Sequence, residues 1–473
     1  MLTCLTATRE ASAIPVRPLT SEGLAMWSRL QPTAVQTWLN ALGFRADPGT
    51  VAFLPGAGGA PSAVLAGMEA LDHVWSYAAL PALLPAGHYR LEENLLWPDA
   101  EPGPLPRALA SMAALGWALG SYGFTRYRTP APEPVARPSL LWPDAADRGA
   151  VERTATAIAL VRDLVNTPAA DLGPAELAAV ARSLAQAHGA DCRVIEGEAL
   201  LAAGYPLIHA VGRASPRAPR LIDLRWGDAD HPRLTLVGKG VCFDSGGLDL
   251  KSGGAMLLMK KDMGGAAHAL ALAQMVMTAG LPARLRLLVP AVENVVAGNA
   301  FKPLDVLRSR KGLTVEVGNT DAEGRLILAD ALAEADSESP HLLLDFATLT
   351  GAARVALGPD LPALFSRHES LAAALQQAGE QVGDPVWRLP LWQGYRKMLD
   401  SKVADIHSTG TSPHAGAITA ALFLDAFVRP ETRWAHLDLM AWNAASRPGR
   451  PEGGEAMGLR AAFALVTQEF GSR

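Results

Sequence analysis

The chain has 473 residues, 49% hydrophobic, 19% charged and 6% aromatic, with a formal net charge of −5. At about 150 residues per domain that length predicts roughly two to three domains and at least one sizeable core, and the apolar fraction excludes wholesale disorder. The mildly acidic balance excludes the strongly basic surface of a general nucleic-acid binder. Three cysteines, Cys4, Cys192 and Cys242, are too few and too scattered for a disulfide framework or a CxxC metal site.

The opening residues place Arg9 and Glu10 where a secretory leader needs an unbroken apolar run. The longest apolar stretches, such as residues 266–277, are broken by His268 and Gln274 and fall short of the roughly 20 residues a membrane span needs. A soluble, cytoplasmic protein with reduced cysteines is expected. Residues 1 to about 127 are rich in Ala, Leu, Gly and Pro and hold few clusters of ionisable groups. Residues 129–144 contain five prolines in sixteen positions and read as an extended connector, because proline fixes φ and removes a donor. The expected division is a smaller N-terminal α/β domain over 1–148, with the connector at about 129–148, and a larger domain over 149–473.

Beyond the connector, helical and strand patterns alternate. Val151, Ile158, Val161 and Val165 share one helix face, and that helix should stop before Pro168. Pro174 suits the first turn of a helix carrying Leu177, Val180 and Leu184 inward, with Gly189 as its cap. Residues 220–226 and 233–240 read as strands, 266–279 as a helix ending at Gly280, and 284–294 as a strand. A helix is expected near 322–336, an apolar strand near 341–350, a helix near 417–428 and a strand near 434–441. Near-continuous apolar strands alternating with helices predict a central, mostly parallel sheet flanked by helices.

The glycine-flanked polar segments GKGVCFDSGG, VGNTDAEGR and DFATLTG all fall at or just past the C-terminal ends of predicted strands, the edge at which open α/β sheets bind ligands. Within residues 239–325 lie Lys239, Asp244, Asp262, Asp321 and Glu323. The four acids are hard oxygen donors suited to Mg²⁺, Mn²⁺ or Zn²⁺. Gathered at one edge they would repel one another without cations, so two metals would stabilise the set. Each acid taken singly is better explained as a turn residue or helix cap, Asp321 above all, since it precedes a helix. Lys239 alone reads as a solvated loop lysine and Arg325 as a first-turn surface arginine.

The segments VGKGVCFDSGG (237–247), KKDMGGAA (260–267) and especially NTDAEGRLILADAL (319–332) resemble the cytosolic leucine aminopeptidase family, and the resemblance runs over roughly residues 150–445. It implies a metal-dependent hydrolase that removes the N-terminal amino acid of peptides through a water bridging two divalent metals, Zn²⁺ or Mn²⁺. Matched motif by motif, it implies metal ligands at Lys239, Asp244, Asp262, Asp321 and Glu323, with Lys239 a neutral amine. It implies a catalytic Lys251 that polarises the scissile carbonyl, and an Arg325 that holds a bicarbonate acting as general base. Met259, Asn319, Thr348, Leu349 and Gly351 match positions lining the substrate cleft. The resemblance also implies a homohexamer acting on peptides with a free N-terminus; neither membrane nor nucleic acid is an expected partner.

The chain departs from that family's pattern in two places. Cys242 stands where threonine is usual, a small residue whose thiol would be oxidation-sensitive if metal-adjacent. Met440, in HLDLMAWN, stands where the family has a small residue bordering the specificity pocket, which predicts a reshaped pocket. Two competing functions need other features: a two-metal phosphoesterase, although no GxxxxGK[ST] phosphate loop is present, and a silent binding protein, although Lys251 and Arg325 accompany every ligand. His268 and His436 read as packing residues, and no HExxH motif exists.

Overall fold

The structure, a computed structural model, describes residues 3–7, 12–92, 95–97, 100–103, 105–129 and 136–471. Arg9, Glu10 and residues 130–135 of the expected connector lie outside the described residues. The chain forms two compact units, one of residues 1–156 with 445–452, the other of 157–444 with 453–473.

The first unit holds a six-stranded sheet in the order Leu5–Thr6, Pro138–Leu141, Gly87–Leu91, Ile14–Leu19, Pro61–Gly67, Val51–Pro55. Every neighbouring pair is parallel except the last. Helix Arg107–Gly120 sets Ala110, Ala114 and Trp117 into one core with Val16, Val64, Tyr89 and Leu140. The proline-rich segment therefore does not remain a connector: Pro138–Leu141 is an inner strand of this sheet. Its proline opens the strand, where a missing N–H is tolerated.

In the second unit the strands are β1 (Asp191–Glu196), β2 (Arg220–Trp226), β3 (Arg233–Gly238), β4 (Gly240–Asp244), β5 (Arg284–Asn294), β6 (Leu342–Ala347), β7 (Ala363–Phe365), β8 (Trp387–Arg388) and β9 (Trp434–Asp438). They line up as β8-β7-β9-β6-β3-β5-β2-β1, with β4 also on β5. The centre, β9-β6-β3-β5, is parallel, whereas β7 and the β2-β1 pair run antiparallel to their inner neighbours. The sheet is thus mixed at its flanks and parallel where the polar segments emerge.

Helices α1 (Pro174–His188), α2 (Gly264–Ala279), α3 (Glu323–Ser337), α4 (Gly351–Leu357) and α5 (Gly416–Asp425) complete the parts that matter to the site. Val237, Leu288 and Leu343 share a core with Leu326, Leu328 and Leu332 of α3. The alternate residues Leu236, Leu287 and Leu344 point the other way, as a pleat requires, and are equally buried. Helix α2 packs on β3 and β6 and is buried nearly all round, which explains an apolar stretch with no polar face. A Cβ at Gly265 would stand 2.1 Å from the Phe346 carbonyl oxygen, and one at Gly238 2.6 Å from the Ala266 Cα. These glycines let α2 start against the ends of β3 and β6.

Two buried histidines pack as expected from the sequence. His268 Nδ1 meets the Gly264 carbonyl at 2.7 Å, and its Nε2 accepts the Met457 N–H at 2.9 Å. His436 Nδ1 and Trp434 Nε1 each bond Asp345 at 2.6 Å. Among the described residues no helix is long and apolar enough to cross a membrane.

Gly265→Val forces backbone apart at the α2 approach. It should cost about 1–3 kcal/mol, the usual penalty of overpacking, and lower the thermal midpoint. Gly253→Ala, where a Cβ meets nothing within 4 Å, should leave the midpoint nearly unchanged in the same melting experiment.

Candidate active site

Strand β3 ends at Gly238 and β4 begins at Gly240, so Lys239 occupies the break between them. Its N–H donates to the Phe346 carbonyl at 3.0 Å, and its own carbonyl accepts the Ala266 N–H at 2.8 Å. The backbone is therefore fixed by β6 and by the start of α2, and the side chain is only 3% exposed, not a solvated loop lysine. Its stem runs past Gly324, where a Cβ would lie 2.5 Å from Lys239 Cε. The glycine in DAEGR keeps that channel open.

Three carboxylates converge on this point. Asp244 closes β4, Asp262 lies in the 3-10 turn Met259–Met263 before α2, and Glu323 is in the first turn of α3. All three are buried, and one oxygen from each lies within 4.8 Å of the others. Lys239 Nζ is 2.8 Å from Asp262 Oδ2 and 3.0 Å from Glu323 Oε1. Asp321, in the 3-10 turn Thr320–Ala322, joins at the solvent side. Lys251 Nζ pairs with it and lies 2.9 Å from Asp244 Oδ2. The cap of that turn is Asn319, whose Oδ1 accepts the Asp321 N–H at 2.7 Å; capping does not account for Asp321.

Four acids, three of them buried, against two ammonium groups leave an excess of negative charge. Burial, reinforced by Asp262, pushes Asp244 up to about 6 against the pull of Lys251 and Lys239. Burial and then Asp244 hold Glu323 well above the usual glutamate range. Burial also opposes the charge on Lys239, but Asp262, Glu323 and Asp244 outweigh it and hold the amine above an ordinary lysine. Lysine ligates only as a neutral amine, and a divalent cation among the same acids supplies the positive field that drives its proton off. Glu323 Oε2 is buried without a hydrogen-bond partner. An orphaned buried carboxylate oxygen among hard donors fits a divalent metal.

Around the acids, Thr348 Oγ1 donates to Asp262 Oδ1 at 2.8 Å, Met259 is buried beside them in the same turn, and Gly351 opens α4. The Leu349 N–H donates to Asp438 Oδ1 at 2.9 Å. Met440 is half-buried, its Sδ 3.1 Å from Arg354 Nη1. Arg325 is 8% exposed rather than on the surface. Its Nη1 donates to the Ser408 carbonyl at 2.6 Å, while its buried Nε has no hydrogen-bond partner, an arrangement that fits a small anion. Cys242 is the small buried residue expected from the sequence. It is 1% exposed, and burial, then Glu293 and Glu176, hold its thiol well above the usual range; none of the four acids figures there.

The motif reading passed over a brace that ties the Lys251 loop to the Asp321 turn. The Asp249 N–H donates to Thr320 Oγ1 at 2.8 Å, and the Thr320 N–H returns to Asp249 Oδ2 at 2.7 Å. Asn294 Nδ2 donates both to Asp244 Oδ1 at 2.8 Å and to the Thr320 carbonyl at 3.0 Å. The placement of Asn294 at the C-terminal end of a predicted strand was the available signal. Lys261 and Arg354 were likewise not singled out.

Comparison with known proteins gives the family. Residues 159–463 match the cytosol aminopeptidase family, catalytic domain, and residues 14–140 match the M17 aminopeptidase N-terminal domain. The chain belongs to the cytosol aminopeptidase family. It is a metal-dependent aminopeptidase, a hydrolase that releases N-terminal residues from peptides. The probable cytosol aminopeptidase of Syntrophotalea carbinolica is 44% identical over 382 residues, covering 77% of this chain and 76% of the relative. The crystal structure of cytosol aminopeptidase from Coxiella burnetii superposes with TM-score 0.93 at 48% identity over 99% of both chains. The bottromycin maturation enzyme BotP in complex with Mn gives TM-score 0.84 at 35% identity, covering 97% of this chain and all of that one.

Burial and the raised thiol keep Cys242 from reacting as a thiolate. Iodoacetamide at neutral pH should leave Cys242 unmodified in the folded aminopeptidase and label it only in denaturant, as read by peptide mass mapping.

Proposed function

We propose that Lys239, Asp244, Asp262, Asp321 and Glu323 hold two divalent cations, and that the peptide is cut against them. The supporting observation is the convergence of three buried carboxylates, one with an orphaned oxygen, on a buried lysine. Two such ions, when bound, supply Lewis acidity for the scissile carbonyl and for the attacking water. The oxygen-rich donor set suits Mn²⁺ and Zn²⁺, and BotP in complex with Mn supports Mn²⁺.

The chain's own residues do the rest. Lys251, held by Asp244 and Asp321, places a positive charge where the carbonyl oxygen turns negative, and that charge stabilises the developing oxyanion. Arg325, anchored through Nη1 on the Ser408 carbonyl, would hold a bicarbonate ion at its buried Nε, and such an anion, when bound, would supply a general base. The second cation, when bound, would hold a free α-amine, and acetylation would remove that donor and so the reason to bind. Asn319 braces the Asp321 turn, Met259, Thr348, Leu349, Gly351 and Met440 form the wall receiving the first side chain, and the Asp249–Thr320 brace keeps Lys251 in register. A homohexamer working in the cytoplasm is part of the same reading. Light scattering should return six times the 49.7 kDa chain mass; a monomer would overturn that part alone.

Stripping the metal should abolish hydrolysis of aminoacyl-anilides, and Mn²⁺ or Zn²⁺ should restore it, with no turnover of N-acetylated counterparts. Turnover that survives stripping, or that ignores acetylation, overturns the two-metal reading. Lys251→Met should lower kcat by about 10²–10³ with metal content unchanged, the usual effect of removing one oxyanion-stabilising group. Glu323→Gln should reduce the metal stoichiometry measured by atomic emission.

A further inference from the structure

Strands β4 and β5 reach the carboxyl edge of the sheet together. Asp244 closes β4, Asn294 closes β5, and the two are register partners. They meet through an irregularity. Val241 pairs with Val292 and Phe243 with Glu293, so Cys242 is one residue more on β4 than β5 can match. Bulges of this kind re-aim side chains beside active sites, and this one brings Asp244 level with Asn294. The Asn294 side chain is buried, at 1% exposure, and its Nδ2 donates to Asp244 Oδ1 at 2.8 Å. The Gly246 N–H donates to the same oxygen at 2.9 Å. Two donors fill the two lone pairs of Oδ1. Oδ2 is left for the charged site, where Lys251 Nζ lies 2.9 Å away.

The same amide nitrogen holds the opposite lip. Its second N–H points to the Thr320 carbonyl at 3.0 Å, one residue before Asp321. Both partners are acceptors, which fixes the amide with Nδ2 toward them. Lys251 Nζ pairs with Asp244 and Asp321 at once, so these two acids stand within reach of a single cation, and Asn294 ties their supports together. The other half of the cluster has a separate buttress. Thr348 Oγ1 donates to Asp262 Oδ1 at 2.8 Å, and the Thr348 carbonyl accepts from Lys239 Nζ at 3.1 Å. Among the described residues the Asn294 amide bonds neither Asp262 nor Lys239 nor Glu323. An aspartate at this position would offer no donor, a serine only one, and a glutamine would be a methylene too long.

We propose that Asn294 is a positioning residue for one of the two divalent ions. It commits Asp244 Oδ1 to the scaffold, leaves Oδ2 as the oxygen that Asp244 offers, and sets the span from Asp244 to the Asp321 turn. The inference rests on the two-metal reading of this same site. An ion that binds between acids already held at a fixed span does not have to order them first, which is how outer hydrogen bonds raise metal affinity.

The test is Mn²⁺ binding by the metal-stripped full chain, titrated against a fluorescent chelator that resolves the two ions. In Asn294→Ala the Kd of one Mn²⁺ should rise by about 10–100-fold, the usual effect of losing such a partner, while the other ion binds as in the wild type. The kcat of this variant should approach the wild-type value once Mn²⁺ is saturating, because no group that touches substrate has changed. Thr348→Val, which removes the Oγ1 bond to Asp262, should weaken the other ion instead. Equal loss of both ions in Asn294→Ala, unchanged binding of both, or loss of the same ion in the two variants overturns this inference and leaves the two-metal reading intact. Wild type that binds fewer than two Mn²⁺ overturns both. If Asn294→Ala fails to fold, a crystal structure of the Mn²⁺-loaded wild type decides the matter. Asp244 should then ligate through Oδ2 alone, with Asn294 Nδ2 still on Oδ1; a metal bond to Oδ1 overturns the inference.

Discussion

Everything at this site depends on holding Asp244, Asp262 and Glu323 together out of water. Carboxylates with oxygens within 4.8 Å of one another repel, and burial raises the cost of each charge. The fold imposes the arrangement by bringing three independent backbone elements to one point: the end of β4, the turn before α2 and the first turn of α3. Lys239 and Lys251 offset part of the charge, and divalent cations at the same oxygens would offset the remainder. The strain that makes the cluster costly as protein makes it a strong ligand set, since the acids cannot relax away from one another without moving the sheet.

The close backbone approaches are what make the elements rigid enough for this. Gly238 and Gly265 let α2 touch β3 and β6, and Gly324 lets the lysine stem pass α3. Asn294 and the Asp249–Thr320 pair then tie the loops that carry Lys251 and Asp321 to the strand that carries Asp244. A site that must hold charged groups against repulsion needs such restraint around its ligands more than it needs extra ligands.

The strands and helices of the second unit were legible because their signals are local: apolar runs of strand length, Pro174 at a helix start, and Gly189 and Gly280 in left-handed conformation at helix ends. The proline-rich stretch misled because proline density reports donor loss and not pairing; Pro138–Leu141 finds its partners in strands far away in sequence. The direction of the outer strands was also hidden, since the apolar residues of β2 and β7 read the same in a parallel or an antiparallel strand. Cys242 was legible as a small buried residue, and the structure buries it where the register of β4 on β5 shifts.

The sequence by itself determined the family and the edge of the sheet at which the candidate ligands gather, because those depend on residue type and on short, ordered spacings. Tertiary structure alone decided which groups are unsatisfied. The orphaned oxygen of Glu323 and the free Nε of Arg325 both depend on what lies nearby from distant parts of the chain. Pairing and burial are sums over neighbours in space, and a sequence read along its length does not carry them.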